Sequence, residues 1–341
     1  MLKTERTWRI AQKEENGYCC YRIPGILPAA DGALLLCCEE RALGTGDWGD
    51  IDVAVFRMEE DGKCRKILEI GQSRLPPDGS LRTYHNPVLV PDTNGRVHLI
   101  YHLNYARAFV ISSTDHGRTW GMAREITAAF QAFDYAWNVC ASGPGHGVCM
   151  DNGRLIVSIW LANGETHGMT RSHAPSTAGC IFSDDHGNIW HPGALAQDAC
   201  ILNGNETAVA QLPDGRLLLN HRNMNADRHR VLSISTDGTQ IEKIWRCDWL
   251  PDPMCFGGQT AGKKGILFGN CMSQERRAHA TVQYSGDAGE HWQAIWPVDS
   301  MGGYMDIAYV RGHIYAFYEQ YSYNSRTVEA LVLKESEQTA L

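Results

Sequence analysis

The 341-residue chain carries 39 acidic against 31 basic side chains, a formal net charge of −8, which argues against nucleic acid as a partner. No run of 18 apolar residues occurs, and charges interrupt the first ten residues, Met1 to Ile10; neither a membrane span nor a secretory leader is expected, and the cytoplasm is the expected location. The 12 cysteines, among them the neighbours Cys19-Cys20 and Cys37-Cys38, follow no disulfide-scaffold or Cys-x-x-Cys spacing and read as reduced, packed small hydrophobes.

In chain order, the first marked feature is Tyr21-Arg22-Ile23-Pro24. An Asp31-Gly32 turn then precedes the strand-like run Ala33-Leu-Leu-Leu-Cys37, followed by Glu39 and Arg41. A glycine-flanked acidic loop, Gly44-Thr-Gly-Asp47-Trp-Gly-Asp50-Ile-Asp52, leads into Val53-Ala-Val-Phe56. His85-Asn86-Pro87 opens another loop, and Asn94-Gly95 precedes Arg96-Val-His-Leu-Ile-Tyr101. Ser113-Thr-Asp115-His-Gly117-Arg-Thr119-Trp120 is the fullest copy of a recurring motif. It returns as Ser183-Asp-Asp185-His-Gly187-Asn-Ile-Trp190 and Ser285-Gly-Asp287-Ala-Gly289-Glu-His-Trp292, and in degraded form as Ser235-Thr-Asp237-Gly238 with Trp245 displaced. Thr127 to Ala141 matches no repeat. Gly143-Pro-Gly-His146-Gly147 and His85-Asn86-Pro87 both read as pocket walls. Asn152-Gly153 and Asp214-Gly215 precede the strand-like runs 154–160 and 216–220. Arg222 lies in Asn220-His-Arg-Asn223, Arg277 beside Arg276 ahead of Thr281-Val-Gln-Tyr-Ser285, Tyr304 in Gly302-Gly-Tyr-Met305, and Glu319 at the end of Phe317-Tyr-Glu319.

The recurring motif has the chemistry of a hairpin turn: Asp accepts backbone N–H groups, Gly takes positive φ and Trp packs beneath. Copies start at 113, 183, 235 and 285, separations of 70, 52 and 50 residues. A period near 50 is that of a four-stranded propeller blade, and the length then predicts six blades. No linker-like segment divides the chain, so the expectation is an all-β, six-bladed β-propeller in a single domain spanning 1–341.

An acidic protein that gathers arginines from distant segments is suited to gripping a small anion, because a guanidinium holds a carboxylate through paired hydrogen bonds. The repeats resemble the Asp boxes of sialidases, and Tyr21-Arg22-Ile23-Pro24 resembles that family's N-terminal arginine motif; the resemblance runs from about residue 18 to 320. It implies an exo-α-sialidase acting on sialylated glycans or oligosaccharides. Arg22, Arg222 and Arg277 would clamp the sugar carboxylate, with Arg277 favoured over Arg276 by its offset from the last box. Tyr304 would be the nucleophile and Glu206, in Asn203-Gly-Asn-Glu206-Thr207, its base. Asp47 would be the acid/base, with Asp50 its rival, and Glu319 would orient Arg22, with Glu39 and Arg41 in the same network. A phenol suits this role, since a carboxylate nucleophile would be repelled by the substrate's own carboxylate.

No cofactor is implied, and no metal: the 14 histidines lack a His-Glu-x-x-His spacing, and a calcium site from Asp47, Asp50 and Asp52 lacks the full loop pattern. Two other readings stay open at this level. One is action on a different nonulosonic acid, or formation of an anhydro-sugar; the other is a non-catalytic, glycan-binding propeller.

Overall fold

The computed structural model describes residues 1–71, 82–168, 170–322 and 327–341. It is a six-bladed β-propeller of antiparallel sheets arranged about an axis. Blade 1 runs from the axis outward as Cys20–Pro28, Leu34–Arg41, Ile51–Met58 and Cys64–Ile70. Blade 4 (Thr207–Gln211, Leu217–His221, His229–Ser235, Lys243–Pro251) and blade 5 (Gly258–Ala261, Ile266–Cys271, Ala280–Ser285, Gln293–Asp299) repeat this order. Blade 6 takes Gly302–Val310, His313–Tyr321 and Val328–Ser336 from the C-terminal part of the chain. Its outer strand is Thr4–Gln12, paired antiparallel with Val328–Ser336, so the two ends of the chain close the ring.

The sequence dictates this packing through runs apolar on both faces. In Leu34–Arg41, Leu34 and Leu36 enter the seam with blade 6, beside Phe317 and Leu333, while Leu35 and Cys37 enter the seam with blade 2, beside Leu89 and Leu99. Successive side chains of a strand point to opposite faces, and a blade has a neighbour on each face. An uninterrupted Leu-Leu-Leu is therefore correct where a half-exposed strand would alternate. The other four seams are filled in the same way. The outermost strand of blade 1, Cys64–Ile70, contains no buried residue.

The segment 127–141, unplaced by the repeats, wedges between blades 2 and 3. A short helix, Thr127–Gln131, buries Phe130 there, and the chain continues into Val139–Ser142, the inner strand of blade 3. The recurring motifs join the third and fourth strands of blades 2 to 5. Ser113 Oγ donates to Asp115 Oδ1 (2.8 Å) and accepts the Gly117 N–H (2.9 Å), and Asp115 Oδ1 accepts the Thr119 N–H (2.8 Å). The copies at 183 and 285 repeat these bonds. The degraded copy closes one residue earlier, with the Gly238 N–H on Ser235 Oγ. Strands alternate in direction, so these turns lie at the opposite end of the propeller from Glu206, Arg222 and Arg277, each at the other end of its strand.

Candidate active site

Arg22, Asp47, Glu206, Arg222, Arg277 and Tyr304 converge on one cavity of ≈230 Å³ at the end of the propeller axis. Local irregularities aim several of these side chains. The inner strands of blades 1, 2 and 6 each lose register once, between Arg22 and Gly25, His85 and Val88, and Gly302 and Met305. A bulge turns the strand locally and redirects a side chain, here Arg22, Asn86 and Tyr304. The cost shows at Ile23, a β-branched residue held at φ +59°, where the left-handed region is strained.

Tyr304 stands at the centre. Its hydroxyl donates to Glu206 Oε1 (2.7 Å) and accepts from Arg222 Nη1 (2.7 Å); Arg222 also bonds Glu206 Oε2. The guanidinium carbons of Arg277, Arg22 and Arg222 lie 4.9, 5.1 and 6.0 Å from the Tyr304 ring centre. Burial holds the phenol proton above its ordinary range; the guanidinium groups oppose this and the Glu206 carboxylate reinforces it. The resting nucleophile candidate is thus a neutral phenol already bonded to a base.

Glu319, wholly buried, organises one wall. It accepts from Arg22 Nε (2.9 Å) and Nη2 (3.5 Å), the backbone N–H of Ile23 (3.2 Å) and Tyr304 (3.3 Å), and Tyr321 Oη (3.2 Å). Burial pushes its carboxyl up, but Arg22 and Arg277 outweigh that and keep it below the usual range. Gly303 permits this approach: a Cβ there would stand 2.2 Å from the Tyr321 ring and 2.7 Å from Glu319 Oε2. Tyr321 also accepts from Arg277 Nη1 (3.1 Å). Arg276 is exposed and outside the cavity.

Asp47 stands at the rim, its side chain 46% exposed, with Oδ1 3.0 Å from Arg41 Nη1 and 3.6 Å from Arg22 Nη1. Burial raises its carboxyl, and the charges of Arg41 and Arg22 more than offset that, holding it down at about 2. Arg41 is itself buried and anchored through Nε and Nη2 on Glu39 Oε2 (2.9 and 2.6 Å). Four guanidinium groups (Arg22, Arg41, Arg222, Arg277) are thereby matched by four carboxylates (Glu39, Asp47, Glu206, Glu319).

Other expectations are corrected. Asp50 is buried and does not line the cavity, and Asp52 is turned away toward the Tyr18 hydroxyl (2.8 Å). Of the two segments read as walls, only Asn86 of His85-Asn86-Pro87 faces the cavity. Gly143 to Gly147 instead runs down the axis beneath it. Gly145–His146 pairs in parallel with Tyr84–Pro91, and His146 Nδ1 bonds Asp306 Oδ2 (2.9 Å). A Cβ at Gly145 would meet the Phe256 ring at 2.9 Å; the glycine serves close packing. Sequence reasoning missed Tyr105, Trp160, His173 and Asn223, which also line the cavity, and Tyr321 behind it. Trp160 Nε1 and His173 Nε2 are buried without a hydrogen-bond partner among the described residues. Among the described residues no group of three or more His, Cys, Asp or Glu side chains could hold a metal ion.

The family model described as "BNR repeat-like domain" matches residues 31–330. A sialidase of Micromonospora viridifaciens is 27% identical over 85% of this chain and 48% of its own length; sialidase-4 of Homo sapiens is 27% identical over 71% and 53%. The chain thus spans about half the length of these curated relatives. A Hadza microbial sialidase superposes with a TM-score of 0.80 over 97% of this chain and 68% of its own, at 21% identity; at that identity the likeness concerns the fold.

Proposed function

The chain belongs to the BNR repeat-like family of sialidase-type propellers, and on that premise we propose that it is a retaining exo-α-sialidase, removing terminal α-linked sialic acids from glycans or oligosaccharides. One observation carries this reading: three guanidinium groups surround a single neutral phenol whose hydroxyl donates to a carboxylate oxygen 2.7 Å away. Arg22, Arg222 and Arg277 clamp the C1 carboxylate. This places C2 over Tyr304 Oη, which attacks it while its proton passes to Glu206 Oε1. The C2–O bond to the aglycone breaks as Asp47 donates a proton to the leaving oxygen. Water then attacks C2 from the vacated side, giving its proton to Asp47, and Tyr304 leaves with the proton held by Glu206. Two inversions give net retention.

Asp47 must be protonated to act, yet it is ionised in the free protein. The substrate resolves this. Its carboxylate adds one negative charge to a site whose four cations and four anions are balanced, and it draws Arg22 away from Asp47. The carboxyl of Asp47 then rises and takes a proton from solvent.

The test is release of sugar from a fluorogenic sialoside between pH 4 and 8, with the first-formed anomer identified by NMR. The expected product is the α-anomer of free sialic acid. An anhydro-sugar by mass, or no turnover with intact binding, would replace this reading with one of the alternatives. A 2,3-difluoro sialic acid analogue is expected to add covalently to Tyr304, located by peptide mass mapping.

A further inference from the structure

Asp47 lies on the connection between Leu34–Arg41 and Ile51–Met58, which carries Gly44, Gly46 and Gly49. Glycine adds backbone freedom, while a general acid must stand within hydrogen-bond reach of the leaving oxygen. What holds the loop is therefore a catalytic question. Arg41 is one restraint, but its Nη1 faces three acceptors, the carbonyls of Thr45 and Gly46 and Asp47 Oδ1. Two hydrogens cannot satisfy all three, so Arg41 by itself leaves the carboxylate a choice.

The second restraint is Trp48, the one large aromatic side chain of the loop and the immediate neighbour of Asp47. Its ring centre is 4.6 Å from that of Tyr105, which is 3% exposed and stacks at 3.6 Å on His85. His173 lies 6.3 Å away, and the Arg171 guanidinium carbon lies 6.0 Å from the indole centre. Tyr105 belongs to blade 2, whereas Arg171 and His173 come from the long connection between Leu155–Ala162 and Ser176–Ser183 of blade 3. The acid loop of blade 1 is thus seated on an aromatic platform built by two other blades.

Resting on the reading of Asp47 as general acid, we propose that Trp48 is its positioning residue: the seat of the indole on Tyr105, His173 and Arg171 sets where the Asp47 carboxyl stands. When a bound carboxylate takes Arg22, Asp47 loses one of its two cationic partners, and the indole seat is what keeps it in place. The experiment compares W48A, W48F, R171A and D47A with wild type on two substrates, an alkyl sialoside, whose leaving group needs a proton, and a 4-nitrophenyl sialoside, whose leaving group departs without one. General acid catalysis is worth about 10²–10⁴-fold, so D47A is expected to lose about 100-fold or more beyond its nitrophenyl loss on the alkyl substrate. W48A is expected to show the same selectivity at about tenfold or more, from displacement of the acid by a fraction of an ångström to about 1 Å. R171A is expected to lose in the same direction to a smaller extent, with the ring-preserving W48F near wild type. Equal losses on both substrates in W48A, or no alkyl loss while D47A shows one, would overturn the positioning role and leave Asp47 as acid. If D47A itself shows no selectivity, the acid assignment falls first.

Discussion

Replacing Glu319 by alanine tests the electrostatic frame of the site. The carboxylate is fully buried and serves Arg22, Tyr321 and two backbone N–H groups. Arg22, with only 11% of its side chain exposed, would keep among the described residues a single anionic partner at the rim, Asp47 at 3.6 Å. Removing one member of a buried ion pair costs about 3–5 kcal/mol, chiefly through the charge left behind. At roughly 2.1 cal/mol/K of unfolding entropy per residue, this 341-residue chain has about 0.7 kcal/mol/K, so the expected fall in Tm is about 4–7 °C. The assay is scanning calorimetry of E319A, R22M and the double variant. Because R22M removes the stranded cation, the double variant should be more stable than the sum of the single losses by about 1.5–3 kcal/mol, while turnover stays lost. An E319A shift below about 1 °C, or losses additive to within about 0.5 kcal/mol, would refute the reasoning.

Tyr304→Phe keeps the ring beneath the three guanidinium groups but removes the attacking oxygen; kcat on a fluorogenic sialoside is expected to fall by about 100-fold or more, with weaker loss of binding, read by steady-state kinetics. Binding of a non-hydrolysable sialic acid analogue at pH 5–6 should take up close to one proton, since Asp47 is held at about 2 in the free site and is relieved by the ligand's carboxylate. Calorimetric titration in buffers of different ionisation enthalpy measures it, and zero uptake would contradict the proposed protonation of Asp47. His146 is lowered by burial but raised further by Asp306, so its folded value lies above the unfolded one; the pair therefore stabilises fully below about pH 6.5 and the gain is lost as pH rises through the folded value. D306N should accordingly lose most stability at pH 5–6 and least at alkaline pH in denaturation series. Ser183→Ala strands the Gly187 N–H at the far end of the propeller and should cost about 1–3 kcal/mol with kcat and KM unchanged.

What was legible in the sequence is what local chemistry encodes. An eight-residue box closes on its own Ser, Asp and Gly, so each copy is readable without knowing its neighbours, and the spacing of copies yields blades. The arginines, Tyr304 and Glu319 were legible through the resemblance to sialidase motifs, since each stands in a short, distinctive stretch within or beside a strand. Tyr321 was within reach of the same logic, two residues beyond Glu319 on one face of His313–Tyr321, had the period of 2 been followed past the motif. Glycine-rich 143–147 misled because glycine has two uses: it frees a loop, or it lets backbone and side chains crowd together, and here the crowding beneath the cavity decides. Trp48, Tyr105, Trp160 and His173 had no signal in the sequence, because their meeting depends on the closure of three blades rather than on any neighbour in the chain. The chemistry proposed for this cavity is thus written in short motifs, while the position of its acid is written in a contact between distant aromatic rings. A chain could retain every motif and still lose the reaction by losing the surface on which Trp48 rests, which is why the two-substrate comparison probes something that motif content by itself does not.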